Sequence, residues 1–170
     1  MNLGVILAIG ESFNDLSKKG QLKRMIDYNI KTYSKNFNSV TIFSYEDEKL
    51  ILPKNCVLIP NKYKIPRFLY SLLMPIVNYK EFKNCDFFRC FQVTGSIPAI
   101  ISKVILGKKF IFNYGYDYQL FAKIEGKKFR SSLMPIVTFT SSVLSSGIII
   151  TNKDLTKKFP TFEKKKIKLN

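Results

Sequence analysis

The chain has no histidine and no tryptophan, and 28 Lys+Arg against only 12 Asp+Glu leave a formal net charge of +16. Without histidine, the commonest general base and the commonest metal ligand are both missing, so histidine-based triads are excluded and no metal site is expected. The three cysteines, Cys56, Cys85 and Cys90, are odd in number and lack paired spacing, which argues against a disulfide framework or a zinc site and fits a reducing, cytosolic setting. No basic stretch precedes the short apolar run Leu3 to Ile9, so a signal peptide is not indicated and the run reads as a first strand. The 22 residues between Arg130 and Lys153 carry no charge, about the length of a bilayer span. They include Pro135, Gly147 and nine Ser or Thr. That composition points to a helix ending near Ser146 and a buried strand from Gly147 to Thr151.

With 46% apolar and 24% charged residues over 170 positions, the chain has the balance of one folded domain. Its charge fits an anionic partner: nucleic acid, an anionic membrane surface and a phosphate-bearing substrate all qualify, beside the plainer alternative of a solvated lysine-rich surface. Nucleic acid is set aside, because no recognition module is present and the aromatics sit in apolar runs instead of alternating with basic residues.

Short apolar runs alternate with helix-length stretches, which predicts repeated β-α units: an α/β, Rossmann-like, mostly parallel sheet with helices on both faces. Leu22, Met25, Ile26, Ile30 and Tyr33 fall at helical spacing, with Lys23, Arg24, Asp27, Lys31 and Lys35 on the other face. Val40 to Phe43 and Val57 to Ile59 are expected strands. Arg67 to Met74 is apolar nearly all the way round, so it is either a buried helix or one touching lipid. A strand beginning at Phe87, a helix from Ile97 to Leu106 and a strand from Lys108 to Asn113 follow. Leu-Met-Pro-Ile-Val occurs at 73–77 and again at 133–137, as coincidence or as two similar surface helices. After Pro160, the lysine-rich tail is either a disordered basic arm or the start of a strand carrying Ile167 and Leu169.

Ligands of open parallel sheets bind beyond the carboxyl ends of the strands, so the strand exits hold the candidate site residues. These are Gly10, Glu11 and Ser12 after the first strand; Arg89, Gln92 and Gly95 at the fourth; Tyr114, Gly115, Tyr116 and Asp117 at the fifth; and Asn152 after the sixth. Glycines would let backbone amides approach a ligand, and Arg89 could hold a phosphate. Gln92 and Asp117 could bond hydroxyls, while Tyr114 and Tyr116 could stack on a sugar ring or an isoprenoid chain. Equally, the glycines could cap turns, Asp117 could cap a helix and Arg89 could form a structural ion pair. Gly20 lies among Lys18, Lys19, Lys23 and Arg24, but neither a dinucleotide fingerprint nor a Walker loop is present.

The stretch Arg89-x-x-Gln92, Gly95-x-x-Pro98-Ala99, Gly107-Lys108, Phe110 to Phe112 and Gly115-Tyr116-Asp117 resembles the N-terminal domain of family 4 glycosyltransferases of the GT-B fold. Two departures stand out. The loop from Gly10 to Gln21 has Gly20-Gln21 where the family often carries Gly-Gly, and Asn113 replaces a frequent basic residue, so no anion contact is expected there. The resemblance implies the acceptor-side half, residues 1–170, of a retaining hexosyltransferase that moves a sugar from a nucleotide-sugar to a lipid-linked or polysaccharide acceptor, with no metal and no other cofactor. It implies a donor-binding C-terminal domain or companion subunit beyond this sequence, little activity for these residues alone and, as the alternative, a non-catalytic subunit of a split transferase. Cytoplasmic location at the inner membrane face goes with it, through Arg67 beside Phe68, Leu69 and Leu72, and through Lys123, Lys127, Lys128 and Arg130 beside Leu133. No catalytic residue is assigned; Gly10, Glu11, Ser12, Gly20, Arg89, Gln92, Gly95, Tyr114, Gly115, Tyr116, Asp117 and Asn152 are the expected donor or acceptor contacts.

Overall fold

A computed structural model of the chain describes residues 1–159 and 167–169. Its centre is a seven-stranded parallel sheet, comprising β1 (Asn2–Ile6), β2 (Ser39–Phe43), β3 (Cys56–Ile59), β4 (Phe87–Cys90), β5 (Lys109–Tyr114), β6 (Gly147–Ile150) and β7 (Ile167–Leu169). The spatial order is β3-β2-β1-β4-β5-β6-β7. The chain builds outward in one direction from β1, then returns to the centre at β4 and builds outward in the other. This is the α/β Rossmann-like fold expected from the alternation of runs. β7 pairs with β6 from Ile148↔Ile167 to Ile150↔Leu169, so the end of the tail is a strand. The tail's lysine run at 164–166 lies outside the described residues.

Right-handed crossovers put connections made in opposite directions on opposite faces of the sheet. Between β1 and β2 lie α1 (Phe13–Lys18), α2 (Leu22–Arg24), a π-helical turn (Met25–Ile30) and α3 (Lys31–Asn36). Between β3 and β4 lie α4 (Arg67–Val77) and α5 (Tyr79–Asn84); α6 (Ser96–Leu106) precedes β5, and α7 (Tyr118–Ile124) and α8 (Lys128–Leu144) precede β6. No helix connects β2 to β3. Helix cover is therefore lopsided. On the face toward α5, α6 and α8, Phe88, Phe110, Phe112 and Ile148 are fully buried. The opposite side chains of the same strands, Phe87, Arg89, Ile111, Asn113 and Ile149, are only half-buried.

Aromatic packing dominates the crowded face. Phe82 stacks on Phe88 at 4.8 Å and lies 4.4 Å from Phe43. Gly4 of β1 makes room for this, since a Cβ there would lie 2.3 Å from the Phe88 ring. Gly95 is needed for a harder reason: its Cβ would sit 2.4 Å from Phe91 O and 2.8 Å from Leu7 O, backbone atoms of the two central loops.

The charge-free stretch folds as α8 and β6, and among the described residues no helix is long and apolar enough to cross a membrane. The serines of α8 explain its composition. Ser141 donates to Val137 O and meets Ser96 of α6 at 2.6 Å, and Ser142 donates to Phe139 O, so small buried hydroxyls are satisfied where the two helices pack. The repeated pentapeptide lies in α4 and in α8, and in both copies the methionine is buried while the isoleucine is exposed. Helix α4 is neither wholly buried nor wholly exposed: Tyr70, Ser71, Met74 and Pro75 face inward, and Phe68, Leu69, Leu72 and Ile76 face out.

The Tyr45 ring packs edge-on to Tyr70 in the core, yet its hydroxyl is buried without a hydrogen-bond partner among the described residues. An unpaired buried hydroxyl costs stability, whereas removing it leaves the ring packing in place. Tyr45→Phe is expected to raise stability by about 1 kcal/mol in urea unfolding; a comparable loss would show that the hydroxyl is satisfied.

Candidate ligand crevice at the carboxyl end of the sheet

Where β1 and β4 lie side by side, their outgoing loops diverge and leave a crevice of about 610 Å³ on the half-covered side of the sheet. Glu11 enters from the β1 loop, Arg89 and Gln92 from β4 and its loop, Asn113 from β5 and Thr151 from beyond β6, while Arg24 closes it from α2. The π-helical turn shapes the helical wall. Its i→i+5 bonding, seen where Lys31 N–H reaches Ile26 O, lets Met25 and Ile30 both face the core although they are five positions apart. Met25, Asn29 and Tyr33 also line the crevice.

Arg89 is held by neutral groups. It donates to Asn113 Oδ1 at 2.6 Å and to Cys90 O at 3.3 Å, with its guanidinium 5.4 Å from the Phe91 ring centroid. Among the described residues no carboxylate forms a salt bridge with it, so its charge is oriented but not neutralised. Arg67 is the opposite case. It pairs with Asp15 at 2.7 Å and with Glu46, and also donates to Ile9 O. The Arg67 guanidinium holds the Glu46 carboxyl below its usual range. Arg67 is thus part of a clasp between α1, α4 and the β2 exit.

Gln92 adopts φ 62°, the left-handed region that a non-glycine residue enters at a cost of about 1–2 kcal/mol. The Tyr118 hydroxyl donates to Gln92 Oε1, and Gly115 leaves room for that side chain, where a Cβ would lie 3.2 Å from the same oxygen. Glu11 has its carboxyl raised above the ordinary value, mainly through burial, against the opposing effect of Lys19.

The remaining expected site residues lie elsewhere or do other work. Ser12 is buried and caps α1 by accepting from Asp15 N, while donating within the Asp15 and Glu46 cluster. Gly20 sits in the exposed turn after α1, and Gly95 packs the central loops together. Tyr114 is buried against Tyr118 and Phe159. Tyr116 is partly exposed and stacks on Tyr118 at 4.1 Å, forming a shelf beside the Gln92 support. Asp117 accepts from Gln119 N and Leu120 N as the cap of α7, and Asn152 accepts from Asp154 N as the cap of the 3₁₀ turn Lys153–Lys158. Gly10 lines a different cavity. That second space, about 340 Å³, is apolar and lies between Ile9, Gly10 and Thr94 of the two central loops and Phe68, Ile97 and Met134 of α4, α6 and α8.

No protein-family model and no curated protein matches the chain. The geometry therefore stands on its own. Arg24, Asn29 and Asn113 were not foreseen as site residues, whereas Thr151 belongs to the sixth strand's exit, Thr151-Asn152-Lys153, which was expected to form part of the site. For Asn113 a signal existed: Arg89 pairs with Ile111 in register, which puts Asn113 one step further along the same face, and two polar residues there are unusual in a parallel sheet.

Because the folded protein raises the Glu11 carboxyl, its contribution to stability is fully present below the unfolded value near 4.3 and is lost as pH rises through the higher folded value. Glu11→Gln is therefore expected to be more stable than the parent at pH 7, with the advantage vanishing below about pH 4 in chemical denaturation. An advantage independent of pH would show that Glu11 is not desolvated in the crevice.

Proposed function

We propose that the chain is the acceptor-side half of a nucleotide-sugar-dependent glycosyltransferase, a retaining hexosyltransferase by resemblance, acting on a lipid-linked or polysaccharide acceptor at the cytoplasmic face of a membrane. The observation that carries the proposal is the crevice at the β1–β4 divergence, where Arg24 and Arg89, the latter in no salt bridge among the described residues, meet hydrogen-bonding groups suited to hydroxyls. In transfer from a nucleotide-sugar the bond between the anomeric carbon and the diphosphate oxygen breaks through an oxocarbenium-like transition state, the acceptor hydroxyl oxygen bonds to that carbon and loses its proton, and the nucleoside diphosphate leaves, so the needs are negative-charge stabilisation and positioning. The arginines answer the first need, and Glu11, Gln92, Asn113 and Thr151 can orient an acceptor hydroxyl.

The donor nucleotide is assigned to the C-terminal half or companion subunit that the family resemblance implies. Membrane contact is supported by the exposed apolar residues of α4 and by Ile136 and Phe139 of α8, with Lys123 and Lys128 exposed nearby in sequence. Lys127 is paired with Glu125 at 3.0 Å, and the Arg130 side chain lies outside the described residues.

The test uses membranes from cells with the intact gene, a deletion strain and an Arg89→Ala strain, each supplied with radiolabelled UDP-, GDP-, ADP- and dTDP-hexoses. Gene-dependent label in the lipid or glycan fraction is expected, falling about tenfold or more in Arg89→Ala at equal protein level. Absence of gene-dependent label from every donor, or full activity of Arg89→Ala, would refute the proposal.

A further inference from the structure

Asparagine and glutamine amides are two-faced, each offering an oxygen that accepts and an NH2 group that donates. In the crevice both amides have their oxygens taken. A guanidinium only donates, so the atom of Asn113 that lies 2.6 Å from Arg89 must be Oδ1. Gln92 is engaged from the other side, where the Tyr118 hydroxyl, buried and kept protonated by that burial, donates to Oε1. Asn113 Nδ2 and Gln92 Nε2 have no hydrogen-bond partner among the described residues. Among those residues the side-chain atoms buried without a partner are the hydroxyls of Tyr45 and Ser102, so both amide nitrogens reach solvent, and both residues line the crevice. Arg89 gives one N–H to Asn113 and one to Cys90 O, which leaves the rest of its fork for a ligand. The carboxylate lining the same space is Glu11, whose raised carboxyl protonates more readily beside an anion.

We propose that Arg89, Gln92 and Asn113 form a donor-only corner that binds a phosphate group, with Tyr118 as the positioning residue that turns the Gln92 amide toward it. This rests on the transferase reading of the crevice and deepens it: Gln92 and Asn113 serve the phosphate, and orientation of a hydroxyl falls to Glu11 and Thr151. A hydroxyl both donates and accepts, whereas phosphate oxygens accept, so a corner whose own acceptors are already engaged selects phosphate. Asn113 thereby makes an anion contact although it carries no charge. The left-handed backbone of Gln92 fits the same design, because its side chain lies beside Gly115, where a Cβ would press on Oε1 and Nε2 at 3.2 and 3.7 Å. Tyr118 is fixed by its neighbours, with ring centroids 4.1 Å from Tyr116 and 5.6 Å from Tyr114. It lines the space under Tyr116 and Phe121 and not the crevice, so its effect on a crevice ligand passes through Gln92.

Gln92→Glu and Asn113→Asp test the assignment, because each keeps the oxygen its neighbour uses and replaces the crevice-facing NH2 with a second oxygen. The ¹⁵N-labelled chain is titrated with glucose 1-phosphate, UDP-glucose and methyl glucoside while the side-chain amide signals of Gln92 and Asn113 are followed. Glucose 1-phosphate is expected to bind about tenfold or more tightly than methyl glucoside and to move both signals downfield. Each acidic variant should bind it about tenfold or more weakly, and Tyr118→Phe a few-fold more weakly, with unchanged circular dichroism spectra. Equal affinity for glucose 1-phosphate and methyl glucoside, or parental affinity in a folded acidic variant, would overturn the donor corner. Should one acidic variant not fold, the other and the parent's side-chain signals decide. A Tyr118→Phe variant that loses stability but keeps parental affinity would overturn the positioning role. Both phosphate sources support the corner: tighter binding of UDP-glucose assigns it to the donor's diphosphate, and tighter binding of glucose 1-phosphate to a sugar monophosphate. Failure here leaves the transferase proposal standing, because the radiolabel experiment reads transfer and not amide polarity.

Discussion

Pairing of β4 with β1 governs the rest of the molecule. β3 ends at the outer edge of the sheet, and the chain must cross back through α4 and α5 before Phe87 to Cys90 can pair beside Leu3 to Ile6. Gly4 and Gly95 permit that return, one by admitting the Phe88 ring beside β1 and the other by letting the β4 loop lie against Leu7 O. A Cβ at Gly95 would meet backbone atoms, which side-chain motion cannot relieve. Once the two strands are adjacent, their following connections must separate toward opposite faces. The crevice and the apolar cavity are the spaces left by that separation.

The same topology leaves one side of β4, β5 and β6 incompletely covered, and the residues there answer to water and ligand more than to packing. Arg89 and Asn113 occupy strand positions that an evenly covered parallel sheet would give to aliphatic residues. The contrast between two arginines shows how environment divides roles within one charge type. Arg67, engaged by Asp15 and Glu46, fastens α4 to the loops after β1 and β2. Arg89, oriented by an amide, a carbonyl and a ring, keeps its charge available. Glu11 and Gln92 both carry a cost, one through desolvation and the other through backbone conformation. Costs of this kind gather where binding has been favoured over stability.

The strands were legible because short runs such as Val40 to Phe43 and Lys108 to Asn113 are too short for helices and are bounded by turn residues. Even Ile167 and Leu169, alternating with lysines, pointed to the pairing now seen in β7. The first strand was read three residues too long: Leu7 and Ala8 are as buried as a strand, but their backbone leaves the ladder to form the central loop. The π-helical turn was hidden, because Met25, Ile26 and Ile30 satisfy an ordinary helical stripe and the wider turn comes from backbone bonding. Strand exits located Glu11, Arg89 and Gln92 in the crevice. They could not distinguish ligand-facing groups from caps, since Ser12, Asp117 and Asn152 have the same side-chain chemistry as binding residues and reveal their cap role only through their partners. The pairing of Arg67 was hidden for a related reason: its partners are 52 and 21 positions away.

The central claim is that ligand recognition belongs to the crevice between the β1 and β4 loops and not to the diffuse positive surface. Amide chemical-shift mapping of the ¹⁵N-labelled chain during titration with a sugar 1-phosphate tests it most directly. The account predicts that the shifts gather at Glu11, Arg24, Arg89, Gln92, Asn113 and Thr151 and stay small at the exposed lysines of α3 and α5. Shifts spread over the lysine-bearing surface, with those six amides unmoved, would contradict it.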